Sequence, residues 1–329
     1  MGTVDLACAS LLALCRSPEL RVVAAVSQPD KPRGRDLKVQ PTPVKAAAMA
    51  AGVTVLQPAR ARDQAFLEQL RQLAPDLIVV AAYGQLLPQT LLDLPRFGCL
   101  NVHTSLLPKY RGAAPIQWAI LNGDPETGVT IMKMDAGLDT GPIVSQVHTP
   151  IVEDDNAQTL HDRLAQMGAA LLLETIPDYV TGRRQPVAQP AEGASYARKL
   201  TKEDGQLDWN LPARTLRNQV RAFTPWPGAY TTLPTLPTFP LPRPQEKPRV
   251  LKLWKVEVVP DHSGPPGLVL AAGRNELVVA CGEQALRILE LQREGGRRLE
   301  AAAFLAGHPI QPGEKLGLPL RPSGGREPG

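Results

Sequence analysis

The sequence offers no metal constellation and no disulfide framework. Its four cysteines, Cys8, Cys15, Cys99 and Cys281, are scattered without metal-ligand spacing. That excludes the small cysteine-stapled classes and fits a reducing cytoplasm, with the thiols serving as small core side chains. No run of about 18 apolar residues occurs, so no membrane span is expected. The opening, MGTVDLACAS, lacks a basic segment leading an apolar one and does not read as a secretory signal. No internal repeat is present, so repeat arrays drop out. A soluble, cytoplasmic protein is expected.

What is there is ordinary globular composition, unevenly arranged. The 329 residues are 43% hydrophobic and 21% charged, enough for two domains that each bury a core. Residues 1–194 hold 17 Lys and Arg against 19 Asp and Glu, a net of −2; residues 195–329 hold the other 19 against 13, a net of +6. A basic second half suggests a polyanionic partner, and from charge alone a solubility bias reads equally well. In the first half, strand-like runs (Leu20–Ser27, Val53–Leu56, Leu77–Ala82, Phe97–His103, Gly128–Met134) alternate with helical patterns (Asp5–Cys15, Thr42–Ala51, Asp63–Leu73, Leu160–Thr181). Such alternation predicts an α/β fold with a doubly wound parallel sheet. Gln28–Pro43 reads as a basic Pro- and Gly-bearing loop, and Arg183–Ala194 as a linker by composition. After a helix at Leu211–Ala222 come short β runs at Ala229–Leu233, Leu251–Val259, Gly267–Leu270, Glu276–Ala280 and Leu286–Gln292, which predict a small β-barrel. The expected boundaries are 1–182 for a catalytic domain, 183–205 for a linker, 206–317 for the second domain and 318–329 for a tail. Leu233–Pro248 is a Pro-rich loop with no functional reading.

The stretch from Leu100 to Ile143 carries the chemistry. Asn101 and His103 stand two apart in an apolar run, so on a strand they share a face. Ser105–Pro108 leaves the strand, Pro115 suits a first helical position and Gly123 a helix stop. A second strand, Gly128–Met134, runs into the loop Asp135–Gly141. Two strand ends and two loops would deliver Asn101, His103 and Asp139 to the carboxyl edge of an open α/β sheet. The three read as an oxyanion donor, a proton carrier and a group that positions the carrier. Asn101 offers a neutral NH₂ donor. His103 can donate to the oxyanion and move a proton. Asp139 would orient the imidazole, favour its charged form or hold a relaying water. By itself an Asn-x-His pair on a strand is more often structural; the Asp loop and the length of the block tip the reading to function. Asp135 reads as loop-shaping, and Gly137 and Gly141 as positions of positive φ or close approach.

LNVHTSLLPKYRGAAPIQ followed by GVTIMKMDAGLDTGPI resembles the folate-dependent formyltransferases. QPDKPRGRDLKVQPTPVK, DLIVVAAYGQLLP, YARKLTKEDGQLDW, RAFTPWPGAY and LQREGG extend the likeness over nearly the whole chain. The first of these and the C-terminal blocks are similar to the branch acting on methionyl initiator tRNA. The resemblance implies a Rossmann-like N-terminal domain and an OB-like C-terminal barrel. It implies transfer of the formyl group of 10-formyltetrahydrofolate, as cosubstrate and without a metal, to the α-amino group of initiator methionyl-tRNA. It places the catalytic Asn, His and Asp on Asn101, His103 and Asp139. The folate-contacting segment falls on Ser105, Leu106, Leu107 and Pro108, and Tyr83, Gly84 and Leu86 border the same pocket. Arg35 corresponds to an arginine in a loop that enters at the tRNA acceptor end, with Lys38 beside it. Arg111, Lys199 and Lys202 are further tRNA candidates, although Arg111–Pro115 reads equally well as a tight turn into a helix. Arg214, Arg217, Arg221, Lys252, Lys255, Arg297 and Arg298 are candidates for phosphate contacts, while Trp209, Trp226 and Trp254 read as packing. A monomer is expected.

The chain departs from the family in places. Relatives open with a short strand before a Met-Gly-Thr turn, and Met1-Gly2-Thr3 stands at that turn. The expectation is that a central strand is missing, leaving backbone groups unpaired and a cleft exposed. Val4-Asp5-Leu6 replaces a Pro-Glu-Phe type of sequence, and Trp118 stands where Arg is frequent. Three rival readings compete: a formyltransferase on a small amine such as an amino sugar or glycinamide ribonucleotide, a hydrolase of 10-formyltetrahydrofolate, and a noncatalytic tRNA- or folate-binding protein. The basic second half and the Arg35 loop argue against the first two, and the intact Asn101, His103 and Asp139 against the third.

Overall fold

The structure, a computed structural model, describes residues 1–33, 38–233, 249–273 and 276–317. Arg35, the Pro-rich stretch beyond Leu233 and the tail from 318 lie outside the described residues. The chain divides into two compact units. The first comprises Met1–Ala119, Pro125–Glu153 and Thr159–Lys199; the second comprises Ile120–Asp124, Asp154–Gln158 and the described residues from Leu200 onward.

In chain order the first elements are α1 (Asp5–Arg16), β1 (Ala25–Val26), β2 (Lys31–Arg33), β3 (Lys38–Gln40), α2 (Pro43–Ala50), β4 (Val55–Leu56), α3 (Gln64–Leu73), β5 (Ile78–Val80) and α4 (Gln89–Leu92). Then come β6 (Cys99–His103), β7 (Arg111–Gly112), α5 (Pro115–Leu121), β8 (Glu126–Lys133), β9 (Ile143–Pro150), α6 (Ala157–Val180) and β10 (Tyr196–Ala197). Local chemistry sets several of these ends. Thr42 caps α2, its hydroxyl accepting from Lys45 N at 3.2 Å, and Pro43 stands in the first turn. Phe66, Leu67 and Leu70 give α3 one buried face.

The main sheet runs β5-β6-β8-β9. β5 and β6 are parallel, but β6–β8 and β8–β9 are antiparallel. The sheet is therefore mixed, which corrects the expectation of a parallel sheet throughout. The pairing of His103 with Thr130 starts β8 near the end where β6 finishes. The connection between them has no need to cross back over the sheet, so it stays at the edge where β6 ends. Periodicity cannot reveal this, because buried strands of either direction read as continuous apolar runs. β9 was not anticipated: its buried and exposed positions are mixed, as suits an edge strand, and its IVSQVHTP sequence is half polar. The loop at 28–43 also contains an unanticipated hairpin, β2 with β3.

Met1 and Gly2 lie between β1 and β5. Gly2 N–H donates to Val26 O at 2.9 Å, and Ala81 N–H donates to Met1 O at 2.9 Å. The Met1 ammonium reaches Val79 O at 2.6 Å, and burial lowers its pKa to about 6. Beside them is a cavity of about 570 Å³ lined by segments 19–26 and 73–79 and by Leu11, Leu14, Leu70 and Ile176. Ser10 also lines it, and its buried hydroxyl has no hydrogen-bond partner. Only two residues of the Leu20–Ser27 run are strand, and they pair with β4.

The second unit holds a short 3-10 turn (Glu203–Gly205), α7 (Ala213–Ala222), β11 (Ala229–Leu233), β12 (Arg249–Val259), β13 (Val269–Gly273), β14 (Glu276–Ala280), β15 (Ala285–Arg293), β16 (Arg298–Glu300) and α8 (Ala301–Gly307). Five strands run β11-β12-β15-β14-β13, all neighbours antiparallel, and β16 pairs with β15. Among the described residues no pairing joins β11 to β13, so the sheet does not close into a barrel. One core gathers Leu251, Leu253, Val279, Leu286, Ile288 and Leu291 from the strands with Leu216 and Val220 of α7 and Phe304 of α8. Trp209 belongs to that core, its indole N–H donating to Thr231 Oγ1 at 2.9 Å. Trp226, read as packing, is instead 49% exposed. No helix among the described residues is long and apolar enough to cross a membrane.

Candidate active site

β6 is buried along its whole length, and its alternation carries Asn101 and His103 onto one face beside the loop after β8. Asn101 is 8% exposed and His103 6%. Asn101 Nδ2 lies 3.5 Å from Asp139 Oδ1. His103 Nδ1 lies 3.7 Å from Asp139 Oδ2. The structure thus brings the three residues together, and Asp139 faces both of the others.

Two main-chain groups complete the cluster. His103 Nε2 lies 2.9 Å from Tyr110 O, and Gly112 N–H donates to Asp139 Oδ2 at 2.8 Å. Tyr110 and Asp139 both adopt left-handed backbone, at φ 65° and 54°. Asp is among the few side chains that tolerate this region. A carbonyl can only accept, so the Tyr110 contact calls for Nε2–H. In neutral imidazole that leaves the Nδ1 lone pair on the Asp139 side.

The Asp139 loop is shaped from within. Asp135 Oδ1 accepts from Gly137 N–H at 3.0 Å and from Thr140 Oγ1 at 2.8 Å. Gly137 and Gly141 are needed for close approach: an added Cβ would stand 1.9 Å from Thr140 Oγ1 and 1.8 Å from Lys133 O, respectively.

The 105–108 segment is pinned by residues that sequence reasoning missed. Thr130 Oγ1 donates to Ser105 O at 2.6 Å and accepts from Leu107 N–H at 3.1 Å. Gln146 Nε2 donates to Leu107 O at 3.0 Å and to Thr130 Oγ1 at 2.9 Å. Ser105 and Leu107 are buried, whereas Leu106 and Pro108 are half-buried. The Tyr83–Gly84 loop is clasped by Thr3 Oγ1 and Gln28 Nε2, which donate to Tyr83 O at 2.9 and 2.8 Å. The Tyr83 ring is itself core; its hydroxyl is buried without a partner and burial pushes its pKa up to about 12. Leu86 projects outward, 78% exposed.

The candidate tRNA residues divide. Lys199 and Lys202 are exposed. Arg111 is bound to Gln189, with Nε and Nη2 donating to Oε1 at 3.0 and 2.7 Å. Lys38 stands in β3, and Arg35 falls among residues outside the described part. Arg221 donates to Asp155 O, and Arg298 pairs with Glu290 and stacks over Trp254.

Two family models match the chain: formyl transferase over residues 4–176, and formyl transferase, C-terminal domain, over residues 199–309. The chain is 48% identical to a methionyl-tRNA formyltransferase of Citrifermentans bemidjiense, over 96% of its own length and 95% of that relative's. It is 50% identical, at the same coverage, to a methionyl-tRNA formyltransferase of Pelobacter propionicus. The chain belongs to the methionyl-tRNA formyltransferase family. It is accordingly a transferase, with the two-part organisation of formyltransferases. Among solved structures, the N-formyltransferase from Helicobacter canadensis in complex with folinic acid and dTDP-3-aminofucose has a TM-score of 0.59 to it. That match has 18% identity and covers 91% of this chain and 97% of that one, a likeness of fold alone.

Proposed function

We propose that this protein transfers the formyl group of 10-formyltetrahydrofolate to the α-amino group of initiator methionyl-tRNA, and that Asn101, His103 and Asp139 are its catalytic residues. The convergence of these three side chains at the end of β6 carries the reading, together with near-full-length likeness to enzymes named for that reaction. A neutral NH₂ donor, an imidazole and a carboxylate match the demands of N-formyl transfer, which needs no metal.

In this reading Asn101 uses one Nδ2–H toward Asp139 and offers the other to the formyl oxygen as the amine attacks its carbon. His103, with Nε2–H on Tyr110 O, accepts the amine proton at Nδ1. Asp139 Oδ2 then faces the imidazolium. Return of that proton to the folate nitrogen releases it as the carbon–nitrogen bond breaks. Segment 105–108 and the loop of Tyr83, Gly84 and Leu86 border the folate. The second unit, its antiparallel sheet packed on one core, serves as the OB-like tRNA-binding part, and Arg35, Lys38, Lys199 and Lys202 contact the tRNA.

One assay tests the reading: 10-formyltetrahydrofolate is supplied with charged initiator tRNA, elongator methionyl-tRNA or a free amino sugar, and formyl transfer is followed. Transfer to the initiator alone is expected. Asn101→Ala and His103→Ala should each lose about 10²-fold or more in kcat, the usual cost of removing such a donor, while folate binding persists. Equal transfer to the amino sugar, or full turnover by either variant, overturns it.

A further inference from the structure

Gln189 lies in a stretch whose composition marks it as connection, yet its amide is fully engaged. Oε1 accepts from Arg111 Nε and Nη2 at 3.0 and 2.7 Å. Nε2 donates to Asp139 O at 2.8 Å and Gly141 O at 2.7 Å. The orientation is forced: reversing the amide would set NH₂ against a guanidinium and oxygen against two carbonyls.

These four contacts join the two loops that build the site. The 108–112 loop supplies Tyr110 O to His103 and Gly112 N–H to Asp139. The 135–141 loop supplies Asp139 itself, held at φ 54°. The chain around Gln189 reinforces the bridge. Val187 and Ile143 exchange N–H···O bonds, both 2.8 Å, and Ser195 Oγ accepts from Tyr110 N–H at 3.0 Å. Tyr196–Ala197 pairs in parallel with Arg111–Gly112.

We infer that Gln189 is a positioning residue: it fixes the Asp139 backbone against the Arg111–Gly112 loop and so aims the carboxylate at Asn101 and His103. This rests on the proposed role of Asp139. Asn101 and His103 are anchored on β6, whereas Asp139 sits on a loop whose internal bonds, from Gly137 N–H and Thr140 Oγ1 to Asp135, leave the Asp139 and Gly141 carbonyls to be held from outside. Gln189 holds them. A misplacement of about 1 Å in such a group costs on the order of 10²-fold in rate.

The test compares Gln189→Ala, Gln189→Glu, Asp139→Asn and the double variant Gln189→Ala with Asp139→Asn, in formyl transfer to charged initiator tRNA. Gln189→Glu keeps the acceptor for Arg111 and turns a carboxylate toward the two carbonyls. Both Gln189 variants should lose about 10- to 100-fold in kcat, with KM for both substrates within about threefold of the parent. The double variant should be no slower than Asp139→Asn, because Gln189 acts through Asp139. Parent-like kcat in both Gln189 variants alongside a crippled Asp139→Asn overturns the inference and leaves the site reading standing. Multiplying effects in the double variant do the same. Parent-like turnover by Asp139→Asn overturns both.

Discussion

Gly141→Ala should damage the Asn101–His103–Asp139 cluster without touching any side chain in it. The added Cβ would stand 1.8 Å from Lys133 O and 3.0 Å from Lys133 C. Real Cβ atoms keep 3.0 Å or more from such neighbours, so the contact must open by at least 1.2 Å, the difference from 1.8 Å. The obstacle is backbone, so no side chain can swing away. Lys133 is tied to the same region by its N–H to Pro142 O at 2.9 Å, and Gly141 O is held by Gln189. The strain therefore falls on the loop that carries Asp139, two residues upstream.

Overpacking costs about 1–3 kcal/mol, and a clash between two main chains belongs at about the upper figure. For a unit of this size that lowers the thermal midpoint by roughly 6–12 °C. A displacement of Asp139 by about 1 Å lowers kcat on the order of 10²-fold. Differential scanning fluorimetry reads the first effect, and formyl transfer to charged initiator tRNA reads the second. Gly137→Ala is the control. Its Cβ meets Thr140 Oγ1 at 1.9 Å, a rotatable hydroxyl, so both losses should be smaller. Parent-like midpoint and kcat for Gly141→Ala would refute the claim that this close approach holds the Asp139 loop. Equal damage from both substitutions would refute the distinction between backbone and side-chain obstacles.

Three further outcomes follow from local chemistry. Thr130→Val keeps the shape but strips partners from Ser105 O and Leu107 N–H; it should cost about 1–3 kcal/mol and raise KM for the folate donor, and an unchanged denaturation midpoint and KM would contradict the pinning role. Burial pushes the Cys99 and Cys281 thiols up to about 12, so a thiol-disulfide reagent near pH ~8 should modify at most Cys8 and Cys15 until the protein is denatured; four reactive thiols in the native protein would count against the packing. The hydrogen bond with Lys45, and then that from Gln57, hold the Asp30 carboxyl below the usual carboxylate range. A depressed carboxylate stabilises the fold above its unfolded pKa and loses that contribution as pH falls through the lowered one, so the midpoints of parent and Asp30→Asn should converge as pH falls from about 5 through the lowered value; a gap constant with pH would defeat that.

How much of this was legible in the sequence differs by residue. Asn101 and His103 were placed on one strand face by their spacing alone, and β6 carries them there. Asp139 was placed in a loop by its glycines, and the close approach of Gly141 to the Lys133 backbone shows why glycine stands there. The missed parts share a physical cause. Tyr110 O and Gly112 N–H act through the backbone, which every residue possesses, so no residue type advertises them. Gln189 lies among prolines and charged residues that resemble a connection, and its engagement depends on where two distant loops happen to lie. The turn of β8 against β6 escaped because a buried strand hides its direction. Arg111 reads equally well as a tRNA candidate and as part of a tight turn into a helix; its guanidinium meets the Gln189 oxygen, a partner that the residues around it do not signal.

The proton logic of the site also comes from a partner that no motif contains. A histidine bracketed only by Asn101 and Asp139 could carry its proton on either nitrogen. Tyr110 O removes that freedom, because a carbonyl at 2.9 Å demands Nε2–H. The nitrogen left as base is then Nδ1, and it is the one beside Asp139 Oδ2 at 3.7 Å, beyond a direct hydrogen bond in the neutral state. In the proposed transfer, a proton taken by Nδ1 would face that carboxylate. The left-handed turn at Tyr110 helps set the carbonyl against the ring, so the tautomer on which the proposed proton transfer rests is set by backbone geometry outside the motif.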